Sequence, residues 1–336
     1  MLGKKFRPWG QLHWVLSKLP SRRWSILGCL GTEERSIALW EYFNRRSSAG
    51  KSTLVRVQDL PSRFANLSRQ LLDARIRDLA RVGQPSEGTP VIPLFASEGQ
   101  IVQTIDNFIN ICEENVILDI TSLPKRFFFP FVHRLLSSSR IKNLVVTYTS
   151  PERYHDGPLA EDHKSLEPLP LFRAQTVGAS KVDLVIIGVG FMPLGLADFL
   201  EKYKYQQVVQ IRTLLPFPPG PPGFQRNWRF INALRKDYAQ AVKDPVRVEA
   251  HDTSDIFDHI TSLTDGGRQT SEFGPFGPKP MSLAMCLFAR LTKSVVRYTQ
   301  PSIYHPEYTK GVRVVGGEPL IRAYCIRLDG IDLYTV

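Results

Sequence analysis

The side chains best suited to chemistry are basic, hydroxylated and aromatic, and they stand in loops beside glycine and proline. Residues 271–284, SEFGPFGPKPMSLA, place Gly277, Lys279 and Ser282 at the opening of an amphipathic run. A lysine beside outward-pointing N–H groups at a helix start suits a phosphate. The plain alternative is a tight turn whose prolines open a helix. Thr121, Ser122, Lys125 and Arg126 form a second loop of the same polar, basic kind. Arg35 follows a glycine turn, Gly28 to Ser36, that would hold an anion at a helix start. Glu33 and Glu34 oppose a phosphate there, although acids near a helix N-terminus suit the dipole. Tyr148, Tyr154, Tyr298 and Tyr304 flank two further loops, where they would stack on bases or pack the loops onto the sheet. Arg212 ends a strand and Arg226 opens a helix beyond a proline-rich loop, so they make an anion pocket or a solvated basic face.

Several familiar chemistries find no support. AGKST at 49–53 resembles the end of a phosphate-binding loop, but it lacks the preceding glycine spacing, and a strand follows it instead of a helix. Gly188, Gly190 and Gly195 are too loosely spaced for a dinucleotide fingerprint, and no ribose-binding acid follows. His155 and His305 have no serine or cysteine nucleophile nearby. The four cysteines, Cys29, Cys112, Cys286 and Cys325, are scattered, so neither a zinc site nor a disulfide framework is expected. No metal and no cofactor are expected.

The elements that must position these residues come as an internal repeat. Residues 24–43 and 184–203 both read as an apolar strand, a glycine turn and a helix. Residues 145–155, VVTYTSPERYH, match residues 295–305, VVRYTQPSIYH, at seven of eleven positions. Between these landmarks each half carries a Pro-Lys pair, Pro124-Lys125 and Pro278-Lys279, just before a helical run. Strands alternating with helices predict an α/β fold. It consists of two tandem degenerate Rossmann-like units, each an open, mainly parallel sheet flanked by helices. The expected boundaries are 1–155 for the first unit, 156–180 for a connector and 181–336 for the second. A β-rich hairpin at the C-terminus is read as an extension of the second unit. Ligands of such sheets bind beyond the carboxyl ends of the strands.

Hydrophobic residues make up 43% of the 336 positions and charged residues 22%, which fits a globular chain. No run of eighteen apolar residues is present to span a bilayer, and no signal-type segment opens the sequence. A cytoplasmic protein with no membrane partner is therefore expected. With 43 Lys and Arg against 32 Asp and Glu, the formal charge is +11. That excess favours a nucleotide, a nucleic acid or an acidic protein partner.

Residues 273–281, FGPFGPKPM, resemble the Gly-Thr-Lys-Pro-Met-type loop of CARF domains, with Pro278 in place of the threonine and Lys279, Pro280 and Met281 retained. CARF domains are Rossmann-like sensors of prokaryotic CRISPR and antiphage systems. The resemblance implies a pocket for a nucleotide or oligonucleotide messenger. It also implies a separate effector, since no nuclease motif accompanies the loop in this chain. Three functions follow as expectations. The leading one is a non-catalytic nucleotide- or nucleic-acid-binding subunit, in an antiphage defence complex with a protein partner. The second is a nucleotide-processing transferase or hydrolase using Asp119, Lys125, Lys279 and the exit-loop residues. The third is a scaffold subunit of a larger assembly.

Overall fold

The computed structural model describes residues 6–19, 22–46, 49–83, 89–173, 182–190, 194–201, 203, 210–217, 223–238 and 242–336. The chain divides into two compact units, one of residues 1–161 with 302–333 and the other of residues 162–301 with 334–336.

The first unit opens with β1 (Trp9–Gln11) and α1 (Leu12–Ser17), and its core alternates strand and helix. In order come β2 (Trp24–Cys29), α2 (Ala38–Asn44), β3 (Ala49–Gln58), α3 (Ala65–Arg81), β4 (Val91–Pro93), α4 (Glu98–Ile111), β5 (Asn115–Asp119), α5 (Lys125–Ser137) and β6 (Asn143–Thr149). Short strands β7 (Pro151–Tyr154) and β8 (Ala160–His163) follow. β2, β5 and β6 are buried along their whole length, as central parallel strands covered on both faces must be. The AGKST string itself opens β3, so it is strand and not a phosphate-binding loop. α4 starts at Ser97 through a capping box: the Ser97 hydroxyl accepts from Gln100 N, and the Gln100 amide oxygen accepts from Ser97 N. α5 buries Phe127, Phe128, Phe129, Phe131, Val132 and Leu135. Each such aromatic contributes roughly 1.5–3 kcal/mol of burial, enough to tolerate Pro130 within the helix.

The second unit repeats the plan. After β9 (Glu167–Pro168) come β10 (Leu184–Gly188), α6 (Leu196–Glu201), β11 (Gln210–Phe217), α7 (Gly223–Tyr238), β12 (Val246–Glu249), α8 (Thr253–Leu263), β13 (Ser271–Pro275), α9 (Lys279–Thr292) and β14 (Val295–Tyr298). β15 (Pro301–Tyr304) leads into the C-terminal segment, with β16 (Thr309–Val312), β17 (Val314–Val315), β18 (Glu318–Pro319), β19 (Ile321–Leu328) and β20 (Ile331–Asp332).

The two sheets share one topology. The first runs β1-β19-β6-β5-β2-β3-β4 and the second β12-β11-β10-β13-β14-β9. Numbered by their order within each unit, the five parallel strands lie 3-2-1-4-5 in both, the Rossmann arrangement. In each sheet an antiparallel strand covers the fifth, β19 on β6 and β9 on β14. The repeated VVxYTxP motif therefore occupies the fifth strand and its exit in both units. The chain is thus two tandem Rossmann-like units, each a mixed sheet flanked by helices.

The C-terminal hairpin lies elsewhere than the sequence placed it. β19 pairs with β6 and β1, and β20 folds back on β19, so the hairpin completes the first sheet and is no extension of the second. An alternating pattern specifies a half-buried strand but not its sheet. The exposed edge of β6 is what takes it. The connector is also part of the structure, because β9 from within 156–180 pairs with β14. Residues 174–180 lie outside the described residues.

Candidate site at the carboxyl edge of the first sheet

In a 3-2-1-4-5 sheet the strand order reverses between strands one and four, and ligands bind there beyond the carboxyl ends. In the first unit these strands are β2 and β5. Their loops meet closely: a Cβ on Gly31 would lie 3.2 Å from the Ser122 Cβ.

Asp119, at the end of β5, is 1% exposed. It accepts from Thr121 N at 3.2 Å, Thr121 Oγ1 at 2.5 Å and Thr147 Oγ1 at 3.2 Å. Thr121 Oγ1 in turn accepts from Thr149 N at 2.9 Å, which ties the ends of β5 and β6 together. A carboxylate so engaged positions the loop. Thr121 is fully buried in that network, and Lys125 is the first residue of α5, only 8% exposed.

Three hydroxyls beside this network have no hydrogen-bond partner among the described residues. They are Ser122 Oγ, Thr149 Oγ1 and Ser150 Oγ, each atom shielded from solvent. Burying such a group without a partner costs roughly 1–3 kcal/mol. Ser122 lies in the loop between β5 and α5, Thr149 ends β6, and Ser150 follows it.

Arg35 is bound into the same edge. Its guanidinium donates to Glu33 Oε2 at 2.9 Å and to the Thr149 carbonyl at 3.1 Å, and it stands 5.4 Å from the centre of the Tyr148 ring. Burial alone would lower its pKa, but Glu33, Tyr148 and Tyr154 together outweigh it, so the guanidinium stays charged. The Tyr148 and Tyr154 hydroxyls are 3.2 Å apart. Burial first, and Tyr148 second, push the Tyr154 phenol well up. Glu33 also accepts from the Thr309 hydroxyl, and Glu34 from Gly311 N, so β16 holds the turn after β2. Three residues singled out from the sequence, Arg35, Tyr148 and Tyr154, therefore form one cluster.

The exit loops bring together residues the sequence left apart. The His155 and His305 rings stack with centroids 3.8 Å apart and planes 17° from parallel. One ligand atom of each and one of Glu307 lie within 4.8 Å of one another. No metal-ligating set was expected. The one available signal was that both copies of the repeat end in Tyr-His. Tyr304 packs 6.2 Å from Tyr308, which is itself 6.2 Å from Tyr154.

In the second unit the corresponding loops follow β10 and β13. They touch so closely that a Cβ on Gly190 would lie 2.1 Å from the Phe276 carbonyl oxygen. Gly277 has the same need for a missing side chain, because its Cβ would meet Met281 Sδ at 2.5 Å. The Ser282 hydroxyl is fully buried and donates to the Pro278 carbonyl at 3.1 Å within its own helix. Lys279 is half-buried at the first position of α9. Its helix start is nearly superposable in backbone angles on that of α5: φ −54° and ψ 155° at Pro278, φ −58° and ψ 152° at Pro124. Tyr298 packs on Phe276 at 5.7 Å. Arg212 is half-buried within β11, and Arg226 lies in the first turn of α7.

No family model matches the chain, and no curated protein matches its sequence. Solved structures with partial likeness include a universal stress protein from Archaeoglobus fulgidus, 11% identical, with 82% of this chain and 96% of that chain covered and a TM-score of 0.25. A functionally unknown protein from Pseudomonas aeruginosa is 12% identical, covering 83% and 92%, also with a TM-score of 0.25. A ketoreductase domain from the bacillaene assembly line is 12% identical, covering 86% and 68%, with a TM-score of 0.21. Likenesses this low carry no argument about function. No helix among the described residues is long and apolar enough to cross a membrane.

Proposed function

We propose that this chain is a non-catalytic binding protein that takes a phosphate-bearing ligand, a nucleotide or a stretch of nucleic acid, at the carboxyl edge of its first sheet. The observation that carries this reading is the set of unpartnered, buried hydroxyls of Ser122, Thr149 and Ser150 beside the helix start at Lys125. Hydroxyl donors and helix N–H groups beside a buried lysine complement phosphate oxygens. The position, at the reversal of a 3-2-1-4-5 sheet, is where such folds bind ligands. The charge of +11 supports a polyanionic ligand.

Lys279 extends the same reading to the second unit, since it opens α9 as Lys125 opens α5. The resemblance of residues 273–281 to the CARF loop makes a nucleotide messenger the first ligand class to test. By the same resemblance the chain serves antiphage defence and passes the signal to a separate protein.

The test is a polarisation titration with fluorescein-labelled single-stranded RNA and with a labelled ATP analogue. Ser122→Ala is expected to weaken binding about tenfold, the equivalent of one charge-assisted hydrogen bond. Lys279→Ala should weaken it by a similar factor without loss of fold. Full affinity in both variants would overturn the assignment.

A further inference from the structure

Both copies of the repeated motif end in Tyr-His, and the fold of the first unit sets the two histidines face to face. His305 and His155 stack at 3.8 Å, and Glu307 supplies a carboxylate within 4.8 Å of a nitrogen of each. The surroundings are closely built. The Phe64 ring meets His305 at 4.9 Å in an edge contact, and a Cβ on Gly157 would lie 2.9 Å from His155 Nε2. The main chain holds both histidines: His155 N donates to the Tyr308 carbonyl at 3.1 Å, and His305 N to the Leu159 carbonyl at 3.0 Å.

We propose that His155, His305 and Glu307 bind a borderline divalent transition ion, with Zn²⁺ the first choice. Two imidazoles and a carboxylate are a donor set that zinc takes, with a fourth position left for water or an added ligand. Hard ions such as Mg²⁺ and Ca²⁺ prefer oxygen donors throughout. All four cysteines are buried, so no exposed thiol competes for a soft ion.

The ion-free arrangement shows what binding must change. Imidazole lone pairs lie in the ring plane, so two stacked rings do not aim at a common point. Each ring has to turn about its Cβ–Cγ bond. His305 Nδ1 accepts from Glu307 N at 3.2 Å, so the proton of the neutral ring sits on Nε2. An ion at Nδ1 replaces that hydrogen bond. Lys310 holds the Glu307 carboxylate at 2.9 Å and competes for it. This proposal does not depend on the phosphate reading of the neighbouring edge.

The test is calorimetric titration of the full chain with Zn²⁺ near neutral pH, repeated with Co²⁺ while its visible absorption is followed. One ion per chain is expected. His155→Ala, His305→Ala and Glu307→Gln should each weaken binding by at least the roughly tenfold that loss of even an outer-sphere partner costs. Lys310→Met should tighten binding by about twofold or more, because it frees the carboxylate. His163→Ala and His259→Ala, in the second unit, should leave it unchanged. If either imidazole variant loses its fold, Glu307→Gln and Lys310→Met decide the matter. Absence of stoichiometric binding, or binding that survives Glu307→Gln and ignores Lys310→Met, overturns the proposal.

Discussion

Thr149 shows how a single residue can be costly to the fold and still be retained. Its backbone is well used, donating to Thr121 Oγ1 and accepting from Arg35, while its own buried hydroxyl has no partner among the described residues. Valine matches its shape without the hydroxyl. Thr149→Val is therefore expected to raise stability by about 1 kcal/mol while weakening ligand binding, with thermal or urea melts checking the first effect and titration the second. A variant that melts lower would show that the hydroxyl is satisfied within the fold. His305 gives a pH signature at the same scale. Its folded pKa lies below its ordinary value near 6.5, so folding favours the neutral ring. Below that ordinary value the unfolded chain binds the extra proton more readily than the folded one. Stability is thus full above it and falls as the pH drops through the window beneath. His305→Gln should flatten that decline in melts recorded across the range, and an unchanged slope would remove His305 as its source. Lys279 and Lys125 were legible as helix-start lysines because Pro-Lys precedes each helical run in the sequence. The stacked histidines were not, because contact between residues 150 positions apart depends on where the C-terminal chain returns.

Among elements, α5 depends on distant chain at its C-terminal end. Its C-terminal carbonyls are satisfied from the tail. Arg327 donates to the Leu136 carbonyl at 2.6 Å, to Ser138 at 3.0 Å and to Ile141 at 3.1 Å, and pairs with Asp332 at 2.5 Å. Arg327→Ala leaves those carbonyls and Asp332 without their cation, and we expect it to cost about 3 kcal/mol in denaturant melts. A loss below about 1 kcal/mol would mean that water replaces the side chain readily. Strand and helix identities were readable in advance, because apolar runs such as LVIIG mark covered parallel strands and the helices carry a clear amphipathic period. The hairpin of β19 and β20 was readable as a hairpin. Its partner was not, since pairing on β6 is a property of the assembled edge rather than of the pattern within β19.

At the scale of the whole molecule, two copies of one 3-2-1-4-5 unit explain why the repeated motifs keep their order along the chain. In both units the loops at the strand reversal meet closely, Gly31 against Ser122 in the first and Gly190 against Phe276 in the second. The charge of +11 predicts that affinity for RNA falls steeply and linearly in log–log form as salt rises, and a salt series of titrations checks it. A salt-independent affinity would mean that the contacts neutralise no phosphates. The most direct test of the central claim is hydrogen–deuterium exchange of the whole chain with and without a saturating phosphate-bearing ligand. Slowed exchange at the amides of residues 121–123, 125–126 and 149–150 is the predicted result. A bound ligand that leaves those amides unchanged would contradict the placement of the site at the carboxyl edge of the first sheet.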